Sequence, residues 1–247
     1  MCIRDRLFIV IALSCLTSVP AWAVNGAIVG NGGGAVITGN SAQLYDLYEA
    51  WHPLLYGRAK PEIAADQSVS RTISWALTRM IAFYPESGKR VQAIIATWSK
   101  QIDFDSNPVP THTVSKAVAA PSFPDVFVTP AITLLWDETI PTFPDSAPPF
   151  VPKGSTFETV AYWNDPFAKL FIQADRYIKL DKLSRAALFI HEALFGLTRQ
   201  TVAPYDQDSL TNSVQVRRFV GSIFSTDTCL VSIPTAEERN SNCQASN

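Results

Sequence analysis

"DKLSRAALFIHEALFGLTRQ", residues 181 to 200, decides how the rest of the chain is read. Its apolar residues recur at three- and four-residue intervals, and Asp181 stands where an acidic side chain caps a helix. The stretch therefore predicts one helix, with Ala187, Leu188, Leu194 and Phe195 on the same face as His191. His191-Glu192 is also how the zinc-peptidase motif begins, in which two His one turn apart reach one metal and the Glu activates water. Here Phe195 occupies the place of the second His, and His52 and His112 are the only others in the chain. His191 reads first as a buried, hydrogen-bonded core residue and second as a metal ligand. The two readings differ in an observable: a metal-assisted hydrolase needs several ligand-capable side chains converging with His191 in an open cleft, whereas a packing role needs His191 enclosed.

Glu192 poses the sharper problem. A carboxylate on so apolar a helix costs several kcal/mol if buried alone, or else binds a proton. A last helix, from about Leu210 to Phe224, supplies Arg217 and Arg218, with Ser213 one turn before Arg217 on the same side. Arg199 lies two turns beyond Glu192, too far for a direct pair. The expected arrangement pairs Glu192 with Arg217 across two packed helices, as a structural link or the floor of a site. His191, Glu192, Arg217 and Ser213 are thus the candidate site residues, with His191 the one candidate metal ligand.

Working back along the chain, Phe157–Trp163, Leu170–Ala174 and Tyr177–Leu180 read as three strands. Ten of the 17 prolines fall between Pro108 and Pro152, around the β-prone pieces Asp125–Thr129 and Ile132–Trp136. That spacing forbids long helices, yet the segment carries Phe123, Phe127, Trp136, Phe143 and Phe150, so it predicts an ordered irregular region rather than a linker. Helical spacing returns earlier. Leu44, Leu47, Tyr48, Trp51 and Leu55 follow Ser41 as N-cap, with a kink or end at Pro53. A second helix is expected from about Gln67 to Phe83, and a third from about Lys89 to Gln101 after Tyr84-Pro85 and Gly88. Two β-like runs, Ala27–Val29 and Ala35–Thr38, flank a glycine cluster. Gly30 to Ala35 formally satisfies G-x-G-x-x-A, but a strand follows where the dinucleotide fingerprint requires a helix, so the cluster reads as a tight β-connection.

Helices, then strands, then helices imply α+β rather than alternating βαβ. The predicted architecture has N-terminal helices, a proline-rich middle (108–152) with a small antiparallel sheet, and two packed C-terminal helices. With 47% hydrophobic residues, the chain can fill the core of a single mature domain over 24–247.

Leu7 to Leu16 is an apolar run too short to span a bilayer, and Ala21-Trp22-Ala23 follows it. Residues 1–23 therefore read as a signal peptide, with 1–6 resembling the translation of a sequencing-library adapter. Lipidation at Cys15 is the competing reading, but Leu13 sits one place nearer that Cys than the lipoprotein pattern has it. No later stretch has the length of a transmembrane segment. The mature chain is expected to be periplasmic or secreted, where Cys229 and Cys243 would form a disulfide. Without Arg4, Asp5 and Arg6 it keeps 18 basic and 21 acidic residues, a net charge of −3 with no basic block. That argues against nucleic acid or an anionic membrane as partner. Nucleophilic catalysis finds no support, since Gly-x-Ser-x-Gly is absent and the remaining Cys would pair. No cofactor is expected.

Gly30-Asn31-Gly32-Gly33, Leu44-Tyr45-Asp46-Leu47-Tyr48-Glu49, Pro152-Lys153-Gly154, Leu188 to Glu192 and Asn212-Ser213-Val214-Gln215-Val216-Arg217 together resemble the pattern of an uncharacterised family of exported bacterial proteins. That pattern runs Gly-Asn-Gly-Gly-Asp, a strand ending in Cys, a Leu-Leu-Asp-x-Tyr-Glu helix, Pro-Lys-Gly-Cys, Leu-x-x-His-Glu and Asp-Ser-x-x-x-Arg. The resemblance touches both ends of the mature chain and leaves the proline-rich middle unmatched. It implies architecture and candidate positions, and no reaction. The pattern's Asp is Gly34 here, and its two Cys fall at Thr38 and Ser155. If those Cys pair in relatives, this chain has lost both halves together. The functional expectation is an exported structural or binding domain of the cell envelope or medium. Its alternative is a metal-assisted hydrolase with a degenerate zincin-like His-Glu helix.

Overall fold

The computed structural model describes residues 28–29, 33–63, 67–107, 131–135, 150–164, 169–201 and 209–226. The leader, Cys229 and Cys243, the strand expected at Asp125–Thr129 and most of the proline-rich middle lie outside the described residues. In chain order the elements are β1 (Ile28–Val29), β2 (Gly34–Thr38), β3 (Ser41–Leu44), α1 (Tyr45–Trp51), α2 (Val69–Phe83), α3 (Pro85–Trp98), β4 (Ala131–Leu135), β5 (Thr156–Thr159), β6 (Ala161–Asn164), β7 (Lys169–Gln173), α4 (Ala174–Tyr177), α5 (Lys182–Thr201) and α6 (Ser209–Ile223). The class is α+β, as the element order predicts.

The apolar run Phe157–Trp163, expected as one strand, is shared between two sheets. Its first half, β5, closes a three-stranded sheet of order β3-β2-β5; its second half, β6, lies in a four-stranded sheet of order β1-β6-β7-β4. The change occurs at Val160, whose N–H donates to the Gly33 carbonyl at 2.8 Å while its own carbonyl accepts from Gln173 N–H at 2.8 Å. The flanking pairs are Val29↔Trp163 in one sheet and Gly34↔Thr159 in the other. This is where the ribbon passes from one sheet to the other. The four-stranded sheet is mixed rather than antiparallel throughout, because β4 runs parallel to β7.

Three boundaries differ from expectation. Ser41 is not an N-cap: Ser41–Leu44 form β3 against β2, with Ala42 and Leu44 turned into the core, and the helix starts at Tyr45. Leu44 satisfies both periods, and pairing with β2 decides between them. The third helix begins at Pro85 rather than near Lys89, since a proline in the first turn gives up an N–H that has no helical partner. The expected strand Tyr177–Leu180 is instead the end of the short helix α4 followed by a single bridge, Leu180 to Ala42. The cap expected at Asp181 is present, its Oδ1 accepting from Ser184 N–H at 2.6 Å, and α2 is capped by Ser68, whose Oγ accepts from Arg71 N–H at 3.2 Å.

Helix α5 packs against α1, α2, α3, α6 and β3. Every residue from Ala186 to Phe195 is buried. The helix is therefore enclosed on all sides through its middle turns, and whatever polar groups it carries there must find partners inside the protein.

Candidate functional site

Four elements bring charged or polar groups to one buried place. Helix α1 contributes Asp46 and Glu49, α5 contributes His191 and Glu192, α6 contributes Arg217 and β6 contributes the Trp163 indole. The exposures of Asp46, His191, Glu192 and Arg217 are 2%, 1%, 0% and 5%. The β3–α1 junction that sets the phase of α1 is pinned to α5, where Ser184 Oγ accepts from Leu44 N–H at 3.1 Å.

His191 Nδ1 lies 2.6 Å from Asp46 Oδ2. Its Nε2 is buried with no hydrogen-bond partner among the described residues. Phe195, which stands where a zinc peptidase has its second His, packs beside the imidazole with ring centroids 6.2 Å apart. Burial pushes the imidazole pKa down, but the Asp46 carboxylate, through charge and hydrogen bond, and Glu192 outweigh it; Arg217 opposes them, and the net direction is upward. Three carboxylates share the site with one guanidinium and one imidazole, so a protonated His191 brings the cluster closer to neutrality.

Glu192 Oε2 accepts from Trp163 Nε1–H at 2.7 Å. Two glycines permit this approach. A Cβ on Gly33 would lie 1.9 Å from Leu188 Cδ1 and 3.2 Å from Glu192 Oε1, and one on Gly196 would lie 2.6 Å from the Trp163 ring. Only residues without a side chain let the bent ribbon and the indole close on α5 here. At Gly33, the described end of the glycine cluster beside α5, the missing side chain thus permits a close approach to the Glu192 helix.

Arg217 Nε donates to Glu49 Oε2 at 2.6 Å and Nη2 lies 3.4 Å from Glu49 Oε1, with the guanidinium 5.0 Å above the Tyr45 ring. Arg217, the cation expected beside Glu192, thus holds an acid on α1 as well as lying in the Glu192 cluster. Glu192 and Arg217 share the cluster and act on His191 with opposite sign. Arg218 is exposed, near the Tyr56 ring. Ser213 lies in α6 one turn before Arg217, and its side chain, like that of Arg199 and like His112 altogether, is outside the described residues. His52 is elsewhere, its Nδ1 accepting from Leu54 N–H at 3.3 Å.

Asp46, Glu49 and Trp163 are the members that sequence reasoning missed. Two acids at i and i+3 on an otherwise apolar helix were the available signal, read there only for helical spacing. Chemically, an Asp-His pair is the arrangement of a general base, and a general base must meet water or substrate. Here both partners are enclosed. Among the described residues no group of three or more His, Cys, Asp and Glu side chains is arranged to hold a metal, and no helix is long and apolar enough to cross a membrane. Comparison with family models, with curated proteins and with solved structures finds no match.

Proposed function

We propose that this chain is an exported, non-catalytic domain of the cell envelope or the medium, one that binds or scaffolds rather than reacts. Its His191-Glu192 helix serves as the internal brace. The observation that carries this reading is the enclosure of the His191–Asp46 pair, whose side chains are 2% and 1% exposed at 2.6 Å separation. A hydrolase needs its base open to the reaction; a brace needs it closed. The leader-like residues 7–23 support export. The likeness to an exported bacterial family gains support from Thr38 and Ser155, the positions of its two Cys, whose hydroxyl oxygens lie 2.7 Å apart.

The metal-assisted hydrolase remains the second reading, because His191 Nε2 keeps an unused lone pair or proton among the described residues. Metal analysis of the purified chain separates the two. The brace reading expects no stoichiometric zinc and a lowered melting temperature in His191→Gln. Stoichiometric zinc that is lost in His191→Ala would overturn it.

A further inference from the structure

The three-stranded sheet carries a second polar feature on its other face. Ala35, Ile37, Ala42 and Leu44 turn toward the core, which places the cross-strand pairs Val36↔Gln43 and Thr38↔Ser41 on the opposite side. These four, with Tyr48, Pro152, Lys179 and Asp181, line a cleft of about 360 Å³. That is within the range of small-molecule sites, roughly 300–1,000 Å³.

Some of its polar groups are already committed. Ser41 Oγ donates to the Thr38 carbonyl at 3.1 Å, Thr38 Oγ1 is bonded to Ser155 Oγ, and Asp181 Oδ1 caps α5 through Ser184 N–H. Others are not. The Gln43 carboxamide and the Lys179 ammonium make no hydrogen bond or ion pair among the described residues. The Tyr48 hydroxyl is shielded from bulk water and likewise has no partner among them. Burial raises its pKa, so it stays a donor. A shielded hydroxyl without a partner is unfavourable, and native proteins keep few.

The unmet groups describe a ligand. Among the described residues Lys179 is the one cation in the lining, and it asks for an anion; Asp181 beside it disfavours a dianion such as phosphate. Gln43 and the second Asp181 oxygen are suited to hydroxyl groups, and Val36 and Pro152 offer an apolar wall. We propose that this cleft binds a small hydroxylated carboxylate of the sugar-acid class, with its carboxylate at Lys179 and its hydroxyls at Gln43 and Asp181. The proposal rests on the reading of the chain as a binding domain and names the ligand class it would take.

The test is calorimetric titration of the purified full chain with D-glucuronate, D-glucose and glycine at millimolar concentration. Saturable binding of glucuronate is expected, with glucose weaker by about tenfold, the worth of one charge-assisted hydrogen bond. Lys179→Gln should weaken glucuronate by about tenfold and leave glucose and the melting temperature unchanged. Gln43→Ala should weaken both sugars, and serves if the first variant folds poorly. No saturable glucuronate binding, equal affinity for glucose, preference for glycine, or an unaltered affinity in both variants would each overturn the proposal. A negative titration of a zinc-free chain leaves the brace reading standing, whereas stoichiometric zinc at His191 defeats that reading whatever the titration shows.

Discussion

Arg217→Ala is the most informative single change, because the guanidinium and its partner have almost no solvent to fall back on. Their side chains are 6% and 12% exposed, and the contact is 2.6 Å. Removing one member of a buried pair costs about 3–5 kcal/mol, since the other charge is left desolvated. The residual exposure of Glu49 places the effect near the lower end, about 3 kcal/mol. Loss of the aliphatic stem and of the contact with Tyr45 adds up to about 1 kcal/mol. The expected loss of about 3–4 kcal/mol is a large part of the stability of a typical domain, about 5–15 kcal/mol. Urea unfolding followed by tryptophan fluorescence measures it as a shift in midpoint at unchanged slope. Arg217→Lys should fall between, keeping the charge but losing the planar fork. In the cycle with Glu49→Gln and Arg217→Met the two changes should be non-additive by at least about 1 kcal/mol. A change within ~0.5 kcal/mol for Arg217→Ala, or full additivity in the cycle, would refute the buried-pair reasoning.

Two further outcomes follow from the same geometry. The folded pKa of His191 lies above its ordinary value of 6.5, so the stability it contributes is fully present below that value and is lost as pH rises through the folded one. Unfolding free energies measured from about pH 6 to about pH 9 should therefore fall more in the wild type than in His191→Gln, and parallel curves would contradict the pairing with Asp46. Thr38 and Ser155, their hydroxyl oxygens 2.7 Å apart, lie one position beyond the pair Ile37↔Thr156, and opposite residues of antiparallel strands have Cβ atoms about 4.5–5.5 Å apart, at the edge of bridging reach. Thr38→Cys/Ser155→Cys should oxidise spontaneously to a disulfide, seen as the loss of two titratable thiols; persistence of both thiols under air would count against the strand register assigned to β2 and β5.

Much of the fold was legible where one period ruled a whole segment. Helices α2 and α5 appear within a few residues of where the apolar spacing, and for α5 the cap at Asp181, place them. Segments that satisfy two patterns were not legible. Ser41–Leu44 alternates as a strand while Leu44 also fits the helical series, and pairing with β2 tips the balance. No glycine or proline marks the break at Val160, because the break is imposed from outside, by the Gly33 carbonyl on one side and Gln173 on the other.

The candidate site divides in the same way. By itself the sequence determined that His191 and Glu192 sit on a buried helical face and that Glu192 needs a partner, since burial of a charge is a local cost readable from its neighbours. It also placed Arg217 on a helix that packs against that one. Which groups meet was decided only by the tertiary structure: the Trp163 indole reaches Glu192, Asp46 takes His191, and Glu49 takes Arg217. Those partners lie 29, 145 and 168 residues apart in the chain. Their approach depends on the rotation of α1 about its axis and on the bend of the β ribbon at Gly33, which are fixed by packing against the whole core and carry no signature in any short stretch of residues.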